Sequence, residues 1–127
     1  MDFETIFESD SSIRFVGVCT LQGRLLDAQY RKGVTPLLSN QGLQFAAMRS
    51  AIRANTRIGD NEGIGNPIYS VTAYDNVKRA TIPFGDGLLL LISFEKNQDE
   101  SQIMKKILDI LKIDNFKHDD SVREIFH

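Results

Sequence analysis

The chain has 127 residues, 42% hydrophobic and 25% charged, with a net charge of −2; this suits one domain that can bury roughly two thirds of its unfolded surface without staples. The near balance of charge gives no general basic face for nucleic acid. A single cysteine, Cys19, excludes an internal disulfide, and with histidines only at 118 and 127 it leaves no obvious zinc ligand set.

The start, Met1-Asp2-Phe3-Glu4-Thr5, is acidic and lacks the basic-then-apolar order of a signal peptide. Phe3, Ile6 and Phe7 at i, i+3, i+4 spacing predict a short amphipathic helix, broken by Ser9-Asp10-Ser11-Ser12. Ile13 to Thr20 is apolar apart from Arg14 and Thr20, which predicts a central strand buried on both faces. After a turn at Leu21-Gln22-Gly23, Arg24 to Arg31 alternates, with Leu26, Ala28 and Tyr30 opposite Asp27, Gln29 and Arg31. That is the pattern of a half-exposed strand near an edge.

Gly33-Val34-Thr35-Pro36 opens the longest helix, with Thr35 as cap, Pro36 in the first turn and Ser39 as the competing cap. Leu38, Phe45, Met48 and Ile52 share one face of it. Beside them runs a stripe of small residues, Ala47, Ala51 and Ala54, suited to close approach by the sheet or by a second subunit. A loop with Gly59, Gly63 and Gly65 leads to a strand over Ile68 to Tyr74. Asp75-Asn76 fits a hairpin turn because both types tolerate the left-handed conformation. Val77 to Phe84 returns with Ala80, Ile82 and Phe84 inward and Arg79 outward, and Pro83 marks its end or a bulge.

After Gly85-Asp86-Gly87, Leu88 to Phe94 is a second continuous apolar strand, too short for the ~20 residues of a membrane helix. Asp99, with Gln102 three residues on, caps a last helix whose apolar face is Ile103, Ile107 and Ile110. We therefore expect a single cytoplasmic domain over residues 1–113. A polar tail follows over 114–127, in which Val122, Ile125 and Phe126 return at helical spacing.

Two hairpin strands, a long helix, three meandering strands and a closing helix resemble the roadblock (dynein light chain) superfamily, and more loosely longin and profilin-like domains. Four stretches carry the closer likeness. They are Ile13-Arg14-Phe15-Val16-Gly17-Val18, Gln22-Gly23-Arg24-Leu25-Leu26, Arg31-Lys32-Gly33-Val34 and Tyr74-Asp75-Asn76-Val77-Lys78-Arg79-Ala80-Thr81-Ile82-Pro83-Phe84. They look like a group of uncharacterised archaeal roadblock-like proteins, and the resemblance spans about Ile13 to Leu111.

The resemblance implies an α+β fold, profilin-like/roadblock-like αββαβββα, with a five-stranded antiparallel sheet in the order 2-1-5-4-3 flanked by helices. It also implies a homodimer through the third strand and the long helix, with Ala47, Ala51, Ala54, Ile68, Tyr69, Val71 and Ala73 as interface residues. The residues make that reasonable, because the third strand has no Lys or Pro to protect its edge. Roadblock-like proteins commonly serve as adaptors or as regulators of small Ras-like GTPases. The partners so implied are a second copy and another protein, with no nucleic acid, membrane or cofactor.

Candidate chemistry is sparse. The glycine loop matches neither a Walker nor a dinucleotide pattern and leads into a strand, so it reads as a plain loop. Asp60, Asn61 and Glu62 stop short of the roughly twelve residues of a calcium loop. Arg49, Arg53 and Arg57 recur every fourth residue and line up on one helix face. With Lys78 and Arg79 they form a candidate patch for an acidic partner or phosphate. Cys19, inside a central strand, reads as an inert core residue, and His118 as a surface residue. Tyr69 and Tyr74 should lie on opposite faces of their strand. No spacing assembles a catalytic site, so an interaction module leads. The alternative is a small-molecule sensor of PAS or GAF type that uses the sheet as a pocket wall.

Overall fold

Asp2 accepts a hydrogen bond from the Glu4 N–H (3.0 Å) and so caps a short helix, α1 (Phe3–Ser9), which buries Phe3, Ile6 and Phe7. The computed structural model describes residues 2–58 and 62–112. The expectations for Gly59, Asp60, Asn61 and everything from 113 onward, including His118 and the Val122–Ile125–Phe126 stripe, lie outside the described residues. The remaining elements are β1 (Ile13–Thr20), β2 (Leu25–Tyr30), α2 (Asn40–Arg57), β3 (Ser70–Ala73), β4 (Lys78–Phe84), β5 (Leu88–Phe94) and α3 (residues 100–112).

The strands form one antiparallel sheet in the order β2-β1-β5-β4-β3. The two continuous apolar strands, β1 and β5, sit side by side inside it, as their two-sided burial requires. One face is covered by α1 and α3. Phe3, Ile6, Phe7, Ile103, Met104, Ile107 and Leu111 close there over Val16, Ile82, Leu90, Ile92 and Phe94. The other face is covered by α2, where Leu43, Ala47, Ala51 and Ala54 meet Phe15, Cys19, Leu89 and Leu91.

Two irregularities re-aim side chains, the usual consequence of a bulge. On β1, Ile13 pairs with Phe94 and Phe15 with Ser93, which leaves Arg14 without an opposite residue on β5. Ile13 and Val16 therefore both join the α1/α3 core, while Arg14 turns to the α2 side. On β2, Cys19 pairs with Leu25 and Val18 with Asp27, so Leu26 is the extra residue. Leu26 packs against the α1/α3 core, whereas Ala28 and Tyr30 pack on the α2 side. The single face expected for Leu26, Ala28 and Tyr30 is thus corrected.

Arg31, expected as a polar surface residue of β2, is a staple. Its Nε donates to the Ile13 carbonyl (2.6 Å), and Nη2 donates to those of Phe7 (2.5 Å) and Asp10 (2.7 Å). The guanidinium also lies 5.2 Å from the Phe7 ring centroid. It supplies donors to carbonyls at the C-terminal end of α1 and fixes that helix to the sheet.

α2 begins later than Thr35-Pro36 suggests. Ser39 is the cap, with its side chain accepting from the Gly42 N–H (3.0 Å). Thr35 instead offers its carbonyl to Arg14 Nη2 (3.1 Å). β3 is shorter than the Ile68–Tyr74 run, because only Ser70 to Ala73 pair with β4. The Asp75-Asn76 link closes with the Tyr74 N–H donating to the Val77 carbonyl (2.9 Å), and neither residue adopts a positive φ. At α3, the Asp99 carboxylate accepts from the Ser101 N–H (2.9 Å), which is the expected cap.

Candidate interaction face and cationic cleft

The long helix carries two apolar surfaces and buries the smaller one. Ala47, Ala51 and Ala54 are almost fully buried on the sheet and Ala46 is buried beside them, with Leu43 the only large buried apolar side chain of the helix. Small side chains bring the helix backbone close to its supports. A Cβ on Gly23, in the β1–β2 turn at φ +90°, would lie 3.1 Å from the Met48 Cα. Asn55 Nδ2 donates to the Leu21 carbonyl of the same turn (2.7 Å) and to Ala51 (2.9 Å). The interface expected at Ala47, Ala51 and Ala54 is corrected accordingly, since the chain's own sheet covers them.

Phe45, Met48 and Ile52, which share a face by periodicity, point away from the sheet and are 48%, 49% and 62% exposed. Leu37, Leu38, Ile58, Ile64, Ile68, Tyr69 and Tyr74 are exposed as well. Among the described residues, every exposed large hydrophobic falls between Leu37 and Tyr74, on α2, its flanks and the approach to β3. β3 itself pairs only with β4, so its outer edge has no strand partner among the described residues. Of the residues expected there, Ile68, Tyr69 and Ala73 are exposed, while Val71 is half-buried and packs toward the α1/α3 core. Both tyrosines flank β3, one residue beyond either end of the paired strand.

On one flank of α2 the structure opens a cleft of about 600 Å³. Its charged lining consists of Arg14, Arg49, Arg53 and Arg79 against one carboxylate, Asp75. Phe15 and Tyr30, with ring centroids 5.0 Å apart, line it from the sheet, and Leu37, Leu38 and Leu43 line it from α2 and the segment before it. Arg79 stands over the Tyr74 ring at 5.7 Å. Arg14 is paired with Glu95 (2.9 Å), but Arg49, Arg53 and Arg79 form no ion pair among the described residues.

The five residues of the expected cationic patch therefore separate. Arg49, Arg53 and Arg79 meet at the cleft, while Arg57, which has an interaction of its own, lies outside its lining. Lys78 is corrected to the opposite side of the sheet. It shares the parity of Ala80 and Ile82, and its Nζ donates to the Gln98 carbonyl (3.0 Å) and to Glu100 (3.3 Å). Arg14 and Tyr30 join the site without having been candidates by sequence. The one charged residue inside an apolar strand is the available signal for Arg14, but the bulge that turns it is not legible there.

Among the described residues, two titratable groups depart clearly from their ordinary values. Burial pushes the Cys19 thiol up to about 11, so almost no thiolate is present near neutrality. Burial alone would raise the Asp10 carboxyl. Hydrogen bonds from the Ser12 hydroxyl (2.6 Å), Lys106 (2.9 Å) and the Ser12 N–H (2.9 Å), with the Lys106 charge, outweigh it and hold the group at about 2. Both groups have structural settings, and neither faces the cleft. No helix among the described residues is long and apolar enough to cross a membrane.

No family model and no curated protein matches the sequence significantly. Solved structures do match the fold. The Roadblock/LC7 domain from Streptomyces avermitilis superposes with a TM-score of 0.70 at 12% identity, covering 99% of this chain and 97% of that one. Gliding protein MglB from Thermus thermophilus gives 0.65 at 15% identity over 82% and 78% of the two chains. MglB of Myxococcus xanthus gives 0.61 at 15% identity over 99% and 98%. The fold is thus a roadblock-like α+β fold, with the sheet order 2-1-5-4-3. At these identities the likeness concerns architecture alone.

Proposed function

We propose that this chain is a non-enzymatic interaction module that acts as a homodimer and serves as an adaptor or regulator of another protein, with a small Ras-like GTPase as the leading class of partner. The observation that carries the reading is the outer face of α2. Phe45, Met48 and Ile52 form a stripe that stays about half exposed or more, and the β3 edge, without a strand partner among the described residues, belongs to the same region. A helix that is apolar on two sides is ordinarily covered on both, and a bare strand edge invites pairing with a second strand. The interface in this reading consists of the α2 stripe with Ile68, Tyr69 and Ala73. The fold shared with MglB structures, one of which is described as having a tetrameric arrangement, supports self-association. The short patterns at 13–18, 22–26 and 74–84 support a place beside archaeal members of the superfamily, and a cytoplasmic setting follows the same reading.

The experiment is binding of candidate small GTPases, loaded with GDP or with a non-hydrolysable GTP analogue, to the immobilised chain and to an Ile52→Glu variant. The reading expects binding that depends on the nucleotide state and is lost in the variant. If no GTPase binds in either state, the GTPase assignment fails, and the homodimer is tested separately by the solution mass of the chain.

A further inference from the structure

We propose that the cleft beside α2 binds a phosphorylated small molecule of about mononucleotide size, with the phosphate held by Arg49, Arg53 and Arg79 and the apolar body set against Phe15, Tyr30 and Leu43. Four guanidiniums gathered around one concave space, in a chain whose net charge is −2, repel one another. Of the four, only Arg14 has an ion-pair partner among the described residues, Glu95, and the lining holds a single carboxylate, Asp75. The other three come from two elements, α2 and β4, that meet only because the helix crosses the sheet. A dianion seated among them would relieve the repulsion and accept the paired N–H donors that a guanidinium offers in fixed geometry.

Shape separates a small ligand from an acidic protein surface. A stripe of arginines on a convex helix suits a flat partner, but here the arginines wall a cleft of about 600 Å³, within the roughly 300–1,000 Å³ typical of small-molecule sites. Its other wall is apolar and aromatic, with Phe15 and Tyr30 already in tilted contact and Leu37 and Leu38 at the rim. Charge on one side and rings on the other suit a molecule that carries a phosphate on a flat apolar body. All the residues invoked belong to one chain, so the proposal does not depend on the dimer.

The test is calorimetric titration of the full chain with adenosine 5′-monophosphate, inorganic phosphate, adenosine and a hexaglutamate peptide. Three variants are titrated beside it: Arg53→Gln/Arg79→Gln, Arg49→Gln, and Arg24→Gln, an exposed control away from the cleft that matches the charge change of Arg49→Gln. Circular dichroism and the thermal midpoint report that each variant is folded. The proposal expects the nucleotide to bind, phosphate to compete with it, and adenosine to bind at least about tenfold more weakly. Affinity should fall by at least about tenfold in the double variant and measurably in Arg49→Gln, and be kept in Arg24→Gln; each tenfold step is about 1.4 kcal/mol. Three results would overturn it: no binding of the nucleotide to the native chain, an equal loss in Arg24→Gln, or binding of hexaglutamate without binding of the nucleotide.

Discussion

The two faces of the sheet are built from different material. The face under α1 and α3 is closed by seven large buried side chains from the two helices, three from α1 and four from α3. At roughly 1.5–3 kcal/mol for each such chain buried, that layer holds itself together without outside help. The face under α2 has one large helix residue, Leu43, among four alanines and a serine, although α2 is the longest helix at 18 residues. Its large apolar residues are on the far side. The β3 edge, without a strand partner among the described residues, and the cationic cleft lie beside that exposed stripe.

Substitution should expose that contrast. The largest effect is expected on the closed face. Ile107→Ala removes a fully buried side chain and should cost about 2–5 kcal/mol in denaturant unfolding, whereas Phe45→Ala on α2 should change the stability of the monomer by no more than about 0.5 kcal/mol. A comparable loss from both would erase the distinction between the faces. Next comes Gly23→Ala, which places a Cβ 3.1 Å from the Met48 backbone at a φ of +90°. Strain of this kind costs on the order of 1–3 kcal/mol, and a neutral result would mean that α2 does not rest on the β1–β2 turn as described.

The Asp10–Ser12–Lys106 group sharpens the comparison by pH, because it ties the turn after α1 to α3 on the closed face. The folded carboxyl sits at about 2, below its ordinary 3.8. Its contribution is therefore complete above about pH 4 and is lost as pH falls through about 2. With screening allowed for, it is on the order of 1 kcal/mol. Unfolding curves of the native chain and Asp10→Asn should differ at pH 6 and converge toward pH 2; a gap independent of pH would contradict the assignment. The smallest expected effect concerns Cys19 on the α2 side, buried with its thiol pushed up to about 11. It should resist alkylation in the folded protein and react only on unfolding. Rapid native labelling would mean that α2 lifts readily from the sheet.

What the sequence makes legible follows the same division. β1 and β5 match their apolar runs at both ends, Ile13–Thr20 and Leu88–Phe94, because burial on both sides leaves a continuous signal. The Phe3, Ile6, Phe7 spacing locates α1 for a similar reason. On the α2 side the pattern is ambiguous in kind. Periodicity shows that Phe45, Met48 and Ile52 share a face but says nothing of what covers it, and the alanines beside them fit a sheet as well as a second subunit. Ser39 and Thr35 are equally good caps by residue type, and only the Gly42 N–H decides between them. The parity of Lys78 with Ala80 is enough to exclude it from the patch. The bulges at Arg14 and Leu26 have no marker in composition, so neither the turn of Arg14 into the cleft nor the displacement of Leu26 is readable.

The central claim is that the outer face of α2 is covered in solution by a second copy of this chain. Light scattering on the eluting peak of the native chain, beside a Phe45→Glu/Ile52→Glu variant, tests it most directly, because these side chains are exposed and changing them leaves the monomer's core intact. The account predicts twice the chain mass of 14.3 kDa for the native protein and the single mass for a folded variant. A native protein that stays monomeric at the highest concentration reached, or a variant that remains dimeric, would contradict it.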